Sequence, residues 1–248
     1  MNNEEYSITE HLDELRKRII LVAISFIALL IIGFVFVKQM YLFFTSALDY
    51  KLMILGPSDI MWIYFHIAGI FAIACTIPIA AHQLWLYVKP ALEEHERKLA
   101  LMYIPGLFLL FVGGLVFGYL FIFPNLLHFL TDLGKGMMVT QFTADRYFTF
   151  LIKTTLPFAF AFELPPVMMF LTSIGIINPY KVAKLRKYAY FILVIIACMI
   201  SPPEFISHIS VSIPLIAIFE ISVALSKIVY KKKQHRLQFV DMDKQVPL

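Results

Sequence analysis

From Ile19 to Val37 the chain runs without one charged side chain. Few features restrict a fold more. A helix rises 1.5 Å per residue, so about 20 apolar residues suffice to cross a hydrocarbon layer roughly 30 Å thick. Further apolar stretches run from Ile60 to Tyr87, Leu99 to Phe123, Phe148 to Ile174, Tyr188 to Ile200 and Ile206 to Ser226. Together they predict an all-α integral membrane protein with six transmembrane helices. Composition agrees: 60% of residues are hydrophobic and 15% charged, with a mean hydropathy of +0.80, far from the values of a soluble domain.

The fifth stretch holds only 13 residues between Lys187 and Ser201. It reaches roughly 20 Å, so lipid must thin or flanking residues must snorkel there. It counts as a span because the sixth follows directly after the turn Ser201-Pro202-Pro203-Glu204, and the fifth and sixth spans together read as a short hairpin. The first residues, Met-Asn-Asn-Glu-Glu, lack the cationic start and short apolar core of a cleaved leader. Ile19 is therefore expected to open the first permanent span. A single polytopic domain is expected over 1–248, with an arm over 1–18, a six-span bundle over 19–226 and a polybasic tail over 227–248.

Orientation follows from lysine and arginine placement. Sixteen of the twenty-one lie in the N-terminal arm, in the second and fourth connections, and in the tail. Both termini are accordingly predicted to be cytoplasmic. The net charge of +4 flanks apolar runs instead of forming a basic stripe, which excludes a nucleic-acid surface. Cys75 and Cys198 fall inside apolar stretches and read as small hydrophobes, not as a disulfide or as metal ligands. No Walker loop, HExxH, GxSxG or GxGxxG motif occurs, so neither a cofactor nor an enzymatic activity is expected. The outer connections, Gln39 to Asp59 and Pro124 to Tyr147, mix polar and apolar residues and are expected either to cap the helix ends or to lie in the headgroup layer.

Two glutamates stand at the predicted inner mouth. Glu14 lies in His11-Leu12-Asp13-Glu14-Leu15-Arg16-Lys17-Arg18, and Glu96 in Glu93-Glu94-His95-Glu96-Arg97-Lys98. On one side of a membrane they offer two carboxylates to a cationic partner. Ser7 to Glu10 has capping-box spacing, and Ile8, Leu12, Leu15 and Ile19 recur at helical intervals, predicting a short interfacial helix with Glu14 off its apolar face. The plainer alternative is a solvated Glu14–Arg18 pair worth a few tenths of a kcal/mol, ~0.3. Trp85 and Tyr87 read as interface aromatics.

Glu163, in Phe162-Glu163-Leu164-Pro165-Pro166, falls near the middle of the fourth span. A charged group at that depth costs at least ~2.5 kcal/mol, so it should face protein or water, be neutral, or find a partner. Pro165 and Pro166 remove backbone donors and predict a break beside it. Glu204 reads as an exposed outer-turn residue and Glu220 as an interface or bundle residue. Gly114 and Gly118 have the spacing of close helix packing inside a bundle.

Taken together, the block at 11–18, Gln83-x-Trp85 leading to Pro90-Ala91-Leu92 and His95-Glu96-Arg97, Phe162-Glu163-x-Pro165, Ser201-Pro202-Pro203-Glu204 and Phe219-Glu220-Ile221 resemble the TatC family. These are the multispanning receptor subunits of twin-arginine protein translocases. The resemblance implies a cupped six-helix bundle in a bacterial cytoplasmic membrane that binds Arg-Arg signal peptides of folded precursors. It also implies recruitment of TatA-type single-span subunits, self-association, contact with membrane lipids, and export driven by the proton motive force. By the same analogy Glu14 and Glu96 contact the paired arginines, with Leu15, Arg16, Arg18, Trp85, Tyr87 and Arg97 around them. Glu163, Pro165, Ser201 and His208 correspond to an intramembrane partner contact, and Pro202, Pro203 and Glu204 to the outer turn. The chain departs from the family pattern at Leu48, Tyr87, Glu204 and His208. Two rivals remain from the residues alone: an ion-coupled solute transporter with Glu163 as relay, and a scaffold in which each acidic group is structural. A transporter would be expected to show paired broken helices in repeated halves; one broken site is found.

Overall fold

The computed structural model describes the backbone of residues 2–46, 48, 51–89, 94–135, 141–201 and 205–243, and the side chains of those stretches except 2–11, 94–103, 206 and 235–243. The first helix, α1, is continuous over Asn2–Thr45. The expected separate arm is thus part of the first span, and Ser7 does not start a helix. No Gly or Pro interrupts residues 2–32, so nothing in the backbone separates arm from span. α2 covers Pro57–Val88. Its start is fixed by Asp59, whose carboxylate accepts from the Leu55 and Gly56 N–H groups at 3.0 and 3.2 Å, with Pro57 at the first helical position where no N–H is needed.

α3, Glu94–Phe117, passes through a π-helical turn, Gly118–Ile122, into α4, Phe123–Gly134. Half of the expected second outer loop is therefore helix. Pro124 sits in the first turn of α4 and so does not break it. α5, Ala144–Ala161, and α6, Leu164–Ser173, are separated at Phe162 and Glu163, the break expected from the two prolines. α7, Pro179–Lys184, leads into α8, Arg186–Ile200, and α9 runs over Phe205–Asp243.

Among the described residues, five stretches are long and apolar enough to cross a membrane: Leu12–Thr45, Pro57–Val88, Ile104–Gly134, Ala144–Ser173 and Ser207–Gln234. α8 has 15 residues and reaches roughly 22 Å. Shortness is confined to α8; the sixth stretch, expected to be short, lies in a helix of 39 residues that runs on through most of the expected tail. The protein is an all-α, multispanning membrane protein.

α1 packs along α2, α3 along α5, and α6 and α8 against α9. Gly33 lets α1 approach the Ala68 backbone, and Gly114 and Gly118 do the same for α3 against Ala159 and Thr155 of α5. A Cβ on Gly114 would lie 2.6 Å from the Ala159 Cα, so the predicted close packing is real. At the end of the bundle away from Glu14, Tyr147 donates to the Phe44 carbonyl at 3.1 Å, the rings of Phe123 and Phe148 pack on it, and Phe44 and Tyr119 extend the cluster. The first and third connections pair through Met53, whose N–H donates to the Phe142 carbonyl at 3.1 Å and whose carbonyl accepts from Ala144 at 2.7 Å. At the other end Gly175, with φ of 87°, terminates α6, and Lys233 of α9 donates to the Ser173 carbonyl at 2.6 Å. Thr172 and Ser226 share a buried hydrogen bond of 2.6 Å between the same two helices.

Candidate functional site

The mouth between α1 and α2 is built from the side of α1 that carries Glu14, Leu15 and Arg18. Leu12 and Ile19, on the apolar face expected to lie at the membrane interface, are exposed at 58% and 59%. Glu14 lies off that face, on the side of α1 that carries Leu15 and Arg18 and turns to α2. Arg18 donates through Nε to Glu14 Oε1 at 3.2 Å, and its Nη2 donates to the same oxygen. Its Nη1 reaches across to α2 and donates to Gln83 Oε1 at 3.3 Å. With side chains 39% and 20% exposed, the Glu14–Arg18 pair is not the fully solvated i,i+4 pair of the plainer alternative. One of its members is tied to a second helix.

Beneath this pair lies a cavity of about 310 Å³ walled by Leu15, Ile19, Val22, Ala80, Leu84 and Tyr87, with Arg18 and Gln83 at its rim. Tyr87 thus faces α1. Trp85 points the other way, into an apolar cavity of about 130 Å³ bounded by α3 and α6, with His82 stacked on its ring at 5.8 Å and the Lys89 ammonium 5.2 Å above it. Arg16 turns outward and pairs with Asp13 at 3.5 Å, both well exposed. The structure therefore brings Glu14, Leu15, Arg18 and Tyr87 together and leaves Arg16 and Trp85 outside that group. Glu96 and Arg97 belong to the first turn of α3, but their side chains lie outside the described residues, as do Pro202, Pro203 and Glu204 altogether.

In the fourth span, both carboxylate oxygens of Glu163 are buried and meet no hydrogen-bond donor among the described residues. Such a group costs free energy where it sits, and buried polar groups without partners are rare in folded proteins. Pro165 and Pro166 follow in the first turn of α6, and the Glu163 N–H donates to the Phe160 carbonyl at 3.1 Å. Away from this group, Ser201 hydrogen-bonds His208 Nδ1 and donates to the Ala197 carbonyl at 2.8 Å, joining the ends of α8 and α9. Glu220 accepts from Arg186 at 2.7 Å and from Tyr190 at 2.5 Å. It is a bundle residue, holding α8 to α9.

Gln83 and the cavity walls Ile19, Val22, Ala80 and Leu84 complete the mouth and were not singled out from the sequence as site residues. A usable signal exists for Gln83: an amide inside an apolar run is expected to face protein, where it finds a partner. No group of three or more His, Cys, Asp or Glu side chains able to hold a metal ion occurs among the described residues.

Residues 10–214 match the family profile described as Sec-independent protein translocase protein (TatC). The chain is 52% identical over 233 residues to the Sec-independent protein translocase protein TatCd of Bacillus subtilis (strain 168), covering 94% of this chain and 96% of that protein. It is 40% identical over 238 residues to TatCy of the same organism, covering 94% of each. A crystal structure of the twin-arginine translocase receptor TatC superposes with a TM-score of 0.76 at 31% identity, over 88% of this chain and 99% of that one. A second crystal structure of that receptor, in DDM, gives 0.78 at 31% identity over 87% and 99%. In sequence along nearly its whole length, and in the path of its helices, the chain belongs to the TatC family.

Proposed function

We propose that this TatC-family receptor takes the two guanidinium groups of an Arg-Arg signal peptide on Glu14 and Glu96, at the cytoplasmic face of a bundle of six spans with both termini inside. The receptor role itself comes with the family, as do the absence of chemistry on the substrate and the place in a bacterial membrane. α8 supplies the sixth span, its short length bridged by thinned lipid, and the whole of 1–248 works as one unit.

The observation that supports this reading is the ligand Glu14 already holds. A guanidinium, the chemical group an arriving arginine would offer, donates through two nitrogens to Oε1 of its carboxylate. An ammonium is a point charge and cannot reproduce that fork. Leu15, Arg18 and Tyr87 shape the mouth around it, Arg16 and Trp85 act outside that group, and Arg97 takes part beside Glu96. Glu163, Pro165, Ser201 and His208 serve the later step, contact with TatA-type single-span subunits: a carboxyl in lipid without an internal partner is a docking point for a helix carrying its own polar group. Copies of the receptor associate with each other.

Photocrosslinking of Arg-Arg and Lys-Lys peptides to the purified protein tests the first step. Strong labelling by Arg-Arg and weak labelling by Lys-Lys is expected, with Glu14→Ala and Glu96→Ala each reducing the former. Equal labelling by both peptides removes the receptor reading.

A further inference from the structure

We propose that Arg18 is an internal stand-in for the signal peptide's arginine, so that binding at Glu14 is an exchange of one guanidinium for another and Arg18 sets the affinity threshold of the receptor. The inference rests on the reading of Glu14 as a guanidinium-binding carboxylate. It is carried by three contacts together: Arg18 Nε at 3.2 Å and Nη2 on Glu14 Oε1, and Nη1 at 3.3 Å on Gln83 of the facing helix.

An ordinary i,i+4 pair on a helix surface breaks at little cost. Arg18 differs because its side chain is only 20% exposed and because Gln83 holds it from α2. The head group is therefore fixed over Glu14 before any peptide arrives, and a visiting cation must displace it. Exchange for an arginine restores a two-nitrogen contact on the carboxylate. Exchange for a lysine does not, and the bonds lost by Arg18 go uncompensated. Selectivity between the two peptides comes from the carboxylate itself; the resident arginine subtracts the same amount from both. Its effect is to lower the whole scale, so that an arginine pair still binds at working concentration and a lysine pair falls below it. Displaced, the Arg18 head can remain on Gln83 at the rim of the 310 Å³ cavity, which keeps the exchange local to the mouth of α1 and α2.

The test measures affinities of fluorescent Arg-Arg and Lys-Lys signal peptides for the full-length protein in lipid nanodiscs. Arg18→Gln is expected to tighten both peptides by the same factor, about tenfold for loss of a charge-assisted competitor, leaving their ratio unchanged. Arg18→Lys, which keeps the charge but loses the fork, should tighten both by a smaller factor and serves if the glutamine variant does not fold. In an Arg18→Gln, Glu14→Gln double variant the tightening should vanish. Unchanged or weaker Arg-Arg binding in the single variants overturns the proposal and makes Arg18 a positioning residue for Glu14. If Glu14→Gln alone leaves Arg-Arg binding intact, the carboxylate reading fails instead, and the two failures are told apart by that variant.

Discussion

Gly113 and Gly114 are neighbours in one helix, yet an added methyl should act oppositely on them. At Gly113 no atom lies within 4 Å of where the Cβ would go. At Gly114 the Cβ would meet the Ala159 Cα at 2.6 Å, the Phe158 carbonyl oxygen at 2.7 Å and the Ala159 nitrogen at 3.0 Å. Ordinary contact begins near 3.4 Å, so α3 and α5 must separate by about 0.8 Å along a contact that buries Phe111 and Ala159 completely. Both substitutions carry the same gain in helix propensity, ~1 kcal/mol over glycine, and that gain cancels in their difference. What remains is the overpacking cost, ~1–3 kcal/mol, and backbone atoms cannot rotate away as a flexible side chain can. Gly114→Ala should therefore be less stable than Gly113→Ala by that amount. Reversible unfolding in mixed micelles, followed by tryptophan fluorescence, reads the difference. Equal stabilities, or a more stable Gly114→Ala, would refute the claim that the α3–α5 approach is set by backbone contact. Under the proposed function the contact matters because α3 begins beside Glu96 and α5 ends beside Glu163.

Glu163→Gln should leave Arg-Arg peptide binding intact while impairing co-purification of a TatA-type subunit; loss of peptide binding would make the residue a support of the fold. Glu163→Leu should raise thermal stability by ~1–3 kcal/mol, since it removes a buried group without a hydrogen-bond donor, and still abolish that co-purification. Glu220→Gln weakens the bonds from Arg186 and Tyr190; the pair is a third or more exposed, so the expected loss is about 1 kcal/mol after solvent screening, and an unchanged unfolding midpoint would show that α8 is held by apolar packing alone.

The spans were legible because hydrocarbon thickness fixes helix length, and the break at Glu163 because proline removes donors wherever it stands. Which side of α1 faces protein was not. Leu12 and Ile19 recur at helical intervals, and in water that periodicity would mark the packed face. In lipid it does not, because acyl chains receive leucine as readily as a neighbouring helix does. The packed stripe is marked instead by Gly33, which touches Ala68, and by the polar Arg18, which finds Gln83. Helix ends were misjudged where no proline or glycine signals a stop, as between arm and span in α1 and beyond Ser226 in α9. The Met53–Thr143 pairing joins segments far apart in sequence, and no local signal announces it.

The first span has a mean hydropathy of 3.2 with 6% of its window buried, whereas Ala144–Ser173 has 1.4 with 39% buried. The contrast bears on the order in which the chain enters the bilayer. The earliest segment to leave the ribosome must reside in lipid before any neighbour exists, and one with little to gain from neighbours must partition by itself. A later segment can arrive carrying threonines, prolines and a carboxylic acid, because helices already in place shelter much of its surface. The polar equipment of the fourth span is in that sense licensed by the greasiness of the first.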